Sequence, residues 1–170
     1  TFSLSGGADA ASFHIKSSGA LTFNPAPDFE KPSDTAANGT NTYEVEVTAD
    51  DGVLPDARMI TVNVKDLNDN PPEITSNGGA GAAEVEVLEN NTIVTTVVSA
   101  DSDASASRIY SLSGGEDENL FVIDDQSGAL TFKTPKDFEQ PSDFDGNNTY
   151  VVVVKVSDGV FEDSQTITAR

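Results

Sequence analysis

The chain repeats itself once, and the length of the repeat limits the folds that it can adopt. Residues 18–23 recur unchanged as residues 127–132, an offset of 109 residues. Further along the chain, Asp51 recurs as Asp158, and the offset there is 107 residues. This period is longer than the roughly 20–50 residues of a solenoid repeat. The sequence therefore predicts whole domains in tandem.

The two copies begin at different points of the repeat unit. Phe2 already matches Tyr110, so about the first third of the unit has no counterpart in the first copy, and the second copy ends at Arg170. One interpretation is a window cut from a longer array, and the other is a sheet completed by strands of a neighbouring chain. We expect an N-terminally incomplete domain at residues 1–70 and a second domain at residues 73–170. A connector at residues 66–72 joins them.

Alternating apolar and polar side chains predict strands along most of the chain. Residues 43–49 and 60–64 alternate in the first copy, as half-buried strands do. The further strand candidates are residues 84–87, 92–99, 121–123, 129–132, 150–156 and 166–169. No stretch has sustained helical spacing. About seven short strands in a unit of about 100 residues are typical of an immunoglobulin-like antiparallel β-sandwich, so the predicted fold class is all-β.

Composition excludes several functions. The chain has 29 acidic and 9 basic residues and a net charge of −20 at pH 7, so it should repel nucleic acid and anionic membranes but attract divalent cations. It has no cysteine to form a disulfide, and no apolar run approaches the about 18–20 residues of a membrane span. With His14 as the sole histidine, His-based zinc sites and Ser–His relays are disfavoured, and we expect no catalysis.

The connector has the side chains of a calcium-binding segment. Residues 66–70 read Asp-Leu-Asn-Asp-Asn, and Pro71 and Pro72 follow. Calcium prefers many oxygen ligands, and the two prolines stiffen the exit of the segment. Elsewhere, acidic residues stand two apart, at residues 28–30 and 101–103, a spacing that points both side chains to one face of an extended segment.

Five motifs, which occur in the same order as in the family, resemble those of cadherin and bacterial cadherin-like repeats of large surface adhesins. They are Leu-Glu-Asn at residues 88–90, Asp-x-Asp at 101–103, Asp-x-Glu at 28–30 and 137–139, an Ala-x-Asp-like motif at 49–51 and 156–158, and the connector at 66–72. The central Arg of the family's Asp-Arg-Glu motif is replaced by Phe29 and Phe138, which we expect to be packing residues.

The resemblance implies Ca²⁺ ions at the junction of successive domains. The implied ligands are Asp28 and Glu30 of the first domain, Asp66, Asn68, Asp69 and the backbone carbonyls of Leu67 and Asn70 in the connector, and Asp101, Asp103 and Asp158 of the second domain. It also implies partial sites at Glu89, Asp137 and Glu139, and at Asp51. The first copy lacks an equivalent of Glu89, so we expect the junction to bind fewer ions or to bind them more weakly.

The resemblance implies an extracellular, cell-surface adhesion or spacer segment stiffened by calcium. Its expected partners are neighbouring repeat domains and a homophilic or heterophilic surface protein or glycan. One alternative is a carbohydrate-binding module, which the absence of Trp and the three Tyr residues disfavour. The other alternative is a fibre subunit that accepts strands from a neighbouring chain.

Overall fold

The regular secondary structure of the described residues consists almost entirely of β-strands. A computed structural model describes residues 1–35, 40–104 and 107–170, which form two compact units, unit 1 (Thr1–Leu67) and unit 2 (Asn68–Arg170). These ranges contain fourteen β-strands, two three-residue 3-10 turns and no α-helix. The all-β expectation is confirmed.

Unit 1 has two layers of strands. Its strands are β1 (Phe2–Gly6), β2 (Phe13–Ile15), β3 (Leu21–Phe23), β4 (Thr42–Ala49) and β5 (Asp56–Asn63). One antiparallel sheet has the order β1-β4-β5, and β2 and β3 form a two-stranded ribbon. The rings of Phe13 and Phe23 lie 6.4 Å and 5.1 Å from the ring of Tyr43 in β4. The ribbon therefore packs against the sheet across an aromatic core.

Unit 2 is a more extensive sandwich. Its strands are β6 (Glu73–Ile74), β7 (Ala82–Val85), β8 (Ile93–Thr96), β9 (Ser99–Ala100), β10 (Ile109–Gly114), β11 (Phe121–Ile123), β12 (Ala129–Phe132), β13 (Tyr150–Ser157) and β14 (Glu162–Ala169). One sheet has the order β10-β13-β14-β7, in which β7 runs parallel to β14, and the other has the order β11-β12-β8. The short strands β6 and β9 pair with each other.

The predicted alternation is clearest in β13. Tyr150, Val152, Val154 and Val156 are buried, and the residues between them are partly exposed. Successive side chains of a strand point to opposite faces, so one face of β13 lies in the core of unit 2. Fully burying one such side chain stabilises the fold by about 1.5–3 kcal/mol.

Two core tyrosines also hold the segments that follow the Asp-Phe-Glu motifs. The hydroxyl of Tyr43 accepts a hydrogen bond from the backbone N–H of Ser33 at 3.1 Å. The hydroxyl of Tyr150 accepts one from the N–H of Ser142 at 3.3 Å. Each serine lies three residues after the glutamate of its motif, so both units anchor this acidic loop to the core at the same point.

The strand predicted at residues 92–99 is wrong as a single strand, because the chain changes sheets there. β8 pairs with β12, whereas β9 pairs with β6. The N–H of Val97 donates to Gly128, and the carbonyl of Val98 accepts from Thr75. The hydrogen-bond partner thus switches between adjacent residues, which alternation in the sequence does not reveal.

We predict that Gly115→Ala destabilises unit 2 by about 1–3 kcal/mol more than Gly159→Ala. Both glycines have positive φ, 104° and 97°, so both substitutions strain the backbone. A Cβ on Gly115 would lie 2.5 Å from the carbonyl oxygen of Val151, whereas a Cβ on Gly159 would have no atom within 4 Å. Urea unfolding of the two variants measures the difference. Equal losses would mean that backbone strain alone matters.

Candidate metal-binding site

Amide and carboxylate side chains gather where three loops of unit 2 meet. The first loop precedes β6, the second follows β9, and the third follows β13. Antiparallel pairing of β6 with β9 brings the first two loops together. We call this group the connector cluster; it comprises Asn68, Asp69, Asn70, Asp101, Asp103 and Asp158.

Asp103 is the buried centre of the connector cluster, with 3% of its surface exposed. Its Oδ2 accepts the backbone N–H of Asn70 at 3.0 Å, and its Oδ1 accepts the side-chain amide of Asn70 at 2.8 Å. The amide of Asn70 also donates to Asp69 Oδ1 at 2.8 Å. The N–H of Asp103 donates to Asp101 Oδ1 at 3.0 Å. Asp101 Oδ2 is buried and accepts no hydrogen bond from the described residues, an environment that favours a bound cation.

The side-chain amide of Asn68 faces two carboxylates of the connector cluster. One end of the amide lies 3.0 Å from Asp103 Oδ2 and 2.9 Å from Asp158 Oδ2. If the NH₂ group occupies this end, it donates to both carboxylates. If the carbonyl oxygen occupies it, three oxygens converge, an arrangement that is favourable only around a cation. Without metal, the NH₂ group therefore faces the carboxylates.

Asp158 is held ionised in the turn between β13 and β14. Its Oδ1 accepts the backbone N–H groups of Val160 at 2.7 Å and Phe161 at 2.6 Å. Desolvation raises its pKa, but these two bonds and the amide of Asn68 outweigh that effect and hold the pKa below its ordinary value. The carboxylate is thus charged and oriented at neutral pH.

Asp51 occupies the equivalent turn of unit 1. Its Oδ1 accepts the N–H groups of Val53 at 2.9 Å and Leu54 at 3.1 Å. The bonds from Leu54 and Val53 hold the pKa of Asp51 below its ordinary value. The repeat therefore preserves the turn geometry at both positions.

The remaining predicted residues of unit 1 include one close acidic pair. Carboxylate oxygens of Glu30 and Asp66 lie within 4.8 Å of each other, and both residues are half-buried. Asp28 Oδ1 accepts the N–H of Glu30 at 3.1 Å and that of Lys31 at 3.0 Å, which fixes a turn at this motif. Leu67 is 68% exposed.

A second acidic group, the end cluster, lies within unit 2 and consists of Glu89, Asp137 and Glu139. Each contributes a carboxylate oxygen, and the three oxygens lie within 4.8 Å of one another. The chain segments are tied together, because the N–H of Asn90 donates to the carbonyl of Lys136 at 2.8 Å. An all-oxygen group of this kind fits a hard cation.

The expectation that Phe138 is a packing residue is wrong. Phe138 is 65% exposed, whereas Phe29 is half-buried. The backbone of Phe138 faces the unit instead, because its N–H donates to Glu89 and its carbonyl accepts from Asn148. Sequence reasoning also missed Asn148; its signal is the recurrence of Asn41-Thr42-Tyr43 as Asn148-Thr149-Tyr150.

Comparison with known proteins identifies the family. A family model described as "Cadherin domain" matches residues 83–170, which are 88 of the 170 residues. The chain belongs to the cadherin family. Human protocadherin-1 is 34% identical over 127 residues, which are 69% of this chain and 11% of that protein. Protein dachsous of Drosophila melanogaster is 36% identical over 104 residues, which are 61% of this chain and 3% of that protein.

Solved cadherin structures have the same fold. The crystal structure of the Protocadherin GammaB4 extracellular domain matches with a TM-score of 0.72 and 26% identity over 100% of this chain, which is 26% of that chain. Cadherin domains are extracellular cell-adhesion modules and bind Ca²⁺ in general. The expected family, fold and cell-surface location are confirmed. Among the described residues, no helix has the length and apolarity to cross a membrane.

Buried carboxylates make the stability of both units depend on pH. Desolvation raises the pKa of Asp9 and of Asp143, but hydrogen bonds outweigh this effect and lower both pKa values. The main donors are the backbone N–H of Glu44 for Asp9 and that of Asn147 for Asp143.

We predict that the free energy of unfolding is nearly constant from pH 8 to about pH 5 and falls below about pH 4. Unfolded Asp has a pKa of about 3.9 and binds protons before the folded carboxylates do, so stability is lost as the pH falls through the lowered folded pKa values. Urea unfolding across this pH range measures the effect. Asp143→Asn should be less stable at pH 7 and lose less in acid; an unchanged acid slope would contradict the assignment.

Proposed function

We propose that this chain is a calcium-stiffened, non-enzymatic adhesion or spacer segment of a longer, repetitive surface protein. It comprises an N-terminally incomplete cadherin domain at residues 1–70, a connector at residues 66–72 and a second domain at residues 73–170. The connector cluster carries the proposal. Within unit 2, amide and carboxylate groups of three loops converge around Asp103, and oxygen atoms are the ligands that calcium prefers.

The proposed ligands come from both domains and the connector. Unit 1 supplies Asp28, Glu30, Asp66 and the carbonyl of Leu67, and unit 2 supplies Asn68, Asp69, Asp101, Asp103, Asp158 and the carbonyl of Asn70. Asp51 and the end cluster of Glu89, Asp137 and Glu139 are proposed as parts of further sites. A bound calcium ion would offset the charge of the carboxylates, and Asn68 would contribute its carbonyl oxygen as a ligand.

Electrostatic repulsion explains why metal should stiffen such a segment. Two like charges 4 Å apart repel by about 4 kcal/mol at an effective dielectric constant near 20, and the oxygens of Glu30 and Asp66 lie within 4.8 Å. Without a cation, this repulsion opposes the close approach of the acidic groups. With a cation, the same carboxylates hold their loops to one centre. A stiffened array of domains can present an adhesive surface to neighbouring repeats and to a surface protein or glycan.

The carbohydrate-binding alternative has less support. All three tyrosines, Tyr43, Tyr110 and Tyr150, are buried, and each hydroxyl accepts a backbone N–H. The chain has no Trp. The tyrosines therefore offer no exposed ring on which a sugar could stack, and the most exposed aromatic rings among the described residues are those of Phe138 and Phe144.

One observation favours the fibre-subunit alternative. β14 is covered on one edge by β7, and Ile167 is fully buried there. The equivalent strand β5 pairs with β4 alone among the described strands, and Ile60 is 37% exposed. An unpaired edge of this kind can accept an added strand. Concentration-dependent assembly in analytical ultracentrifugation would support the alternative, and a monomer at high concentration would exclude it.

We predict that calcium extends and stabilises the chain and that Asp103→Asn removes most of this response. Small-angle scattering and thermal unfolding are measured in calcium and in chelator. Calcium at about 100 times Kd should add about 2.7 kcal/mol of stability. Glu116→Gln is the charge-matched control, since Glu116 is exposed and belongs to neither cluster. Unchanged dimensions and melting temperature in the wild type would refute calcium stiffening.

We predict that Asn68→Asp lowers stability in chelator by about 1–3 kcal/mol, because two hydrogen bonds are replaced by a like charge. Calcium should reduce or reverse this loss, because an additional carboxylate then binds the cation. Asn68→Ala is the control that loses the bonds without adding charge. Thermal unfolding of the three proteins at several calcium concentrations distinguishes them. A loss that is the same with and without calcium would show that Asn68 does not contact the ion.

A further inference from the structure

An asparagine in each unit is bonded to the middle of the Asp-Phe-Glu motif. The side-chain amide of Asn148 donates to the carbonyl of Phe138 at 2.9 Å. The amide of Asn41 donates to the carbonyl of Phe29 at 2.8 Å. These carbonyls lie between the two acidic residues of each motif, so the same bond is made at the same place twice.

The bond from Asn148 is one of two that hold the backbone of Phe138, which lies between Asp137 and Glu139 of the end cluster. The N–H of Phe138 donates to Glu89 Oε2 at 3.3 Å, and its carbonyl accepts from Asn148. The N–H of Glu139 donates to Asp137 Oδ1 at 3.0 Å. The backbone between Asp137 and Glu139 is therefore tied on both sides, which restricts the directions in which the two carboxylates can point.

Asn148 is itself held firmly. Both oxygens of the buried Asp143 accept backbone N–H groups, from Asn147 at 2.7 Å and from Asn148 at 3.2 Å. The buried Asp117 accepts the N–H groups of Phe144 at 2.7 Å and Val151 at 2.8 Å. Residues 143–151 are thus bound to the sandwich, so the side chain of Asn148 reaches Phe138 from a fixed backbone.

The first unit repeats this arrangement around Asp9. Asp9 is 4% exposed and accepts the N–H groups of Thr35 at 2.6 Å and Glu44 at 2.8 Å. Asn41 is 2% exposed. Although residues 36–39 lie outside the described part of the chain, the anchors on either side of them match those of unit 2.

We propose that Asn148 is a positioning residue that orients Asp137 and Glu139 toward Glu89, and that Asn41 does the same for Asp28 and Glu30. The inference rests on the proposed function, because the oriented carboxylates are the proposed calcium ligands. Residues behind the ligands of a metal commonly change affinity about 10–100-fold when they are substituted. Asn148 therefore contributes to calcium binding without contacting the ion.

The backbone of Asn148 provides the decisive substitution. Its φ is 61°, and that of Asn41 is 54°, a region in which glycine is unstrained. If the asparagine served the turn alone, glycine would replace it without loss. Asn148→Gly keeps the turn and removes the amide, so it separates positioning from backbone conformation.

The test compares Asn148→Gly with the wild type by NMR and by calcium titration. Without metal, we expect the amide protons of Phe138 and Glu139 to exchange faster in Asn148→Gly. In the titration, we expect the calcium affinity reported by the Asp137 and Glu139 resonances to fall about 10-fold. Unchanged exchange together with unchanged affinity would overturn the proposal.

Asn77→Gly is the matched control. Asn77 also has a positive φ, 51°, and its side chain bonds to Thr95 and Gln165, away from the end cluster. Asn77→Gly should lower stability without changing calcium affinity at the end cluster. A fall in affinity equal to that of Asn148→Gly would overturn the proposal. If Asn148→Gly does not fold, Asn41→Gly is judged in the same way from the amides of Phe29 and Glu30.

The two proposals fail in different ways. If calcium does not shift the wild-type resonances of Asp137 and Glu139, the proposed function fails at the end cluster. The exchange of Phe138 and Glu139 without metal still decides whether Asn148 positions the loop. A Glu89→Gln variant, which keeps the length of the side chain, shows whether any shift arises from this cluster.

Discussion

Both units depend on aspartate carboxylates that accept pairs of backbone N–H groups. The chain carries a net charge of −20, and the three ion pairs among the described residues each include a side chain that is more than half exposed. These exposed pairs therefore do little to hold the acidic loops, and the buried Lys136 contributes one hydrogen bond, from its Nζ to Ser142 Oγ at 3.2 Å. Asp9, Asp117 and Asp143 instead use backbone amides, which are fixed by the fold and bind the charged form. This interaction allows an acidic chain to keep long loops in one conformation.

Hydrogen bonds also orient the carboxylates of the connector cluster. Asp158 is oriented by the two amides of its own turn, and Asp103 is oriented by Asn70. Oδ2 of Asp158 and Oδ2 of Asp103 both face the amide of Asn68, a group that can turn either a donor or an acceptor toward them. Without metal, hydrogen bonds satisfy much of the connector cluster but leave the buried Asp101 Oδ2 without a donor among the described residues, whereas a bound cation would be coordinated by the oxygens. That dual capacity is what the proposed calcium-stiffened segment would require.

The two units share one strand framework but differ in how far outer strands cover their sheets. Tyr43 and Tyr150 occupy equivalent positions, and each binds the loop after its acidic motif. The strands beside them differ, because Ile167 is covered by β7 whereas Ile60 is partly exposed. In both units, the tyrosine of the central strand and the asparagine two residues before it bind the loop after the acidic motif and the motif itself, respectively. The outer strands determine how much apolar surface is removed from water.

The sequence by itself determined the repeat, the all-β class and the acidic motifs. Strand alternation has a period of two, and acidic pairs spaced two apart are visible in any extended segment. Tertiary structure alone decided that Phe138 faces solvent and that the segment of residues 92–99 changes sheets. These features depend on which strands become neighbours and on which backbone groups lack a ladder partner. Both are properties of the packed sandwich, and neither can be obtained from local spacing along the chain.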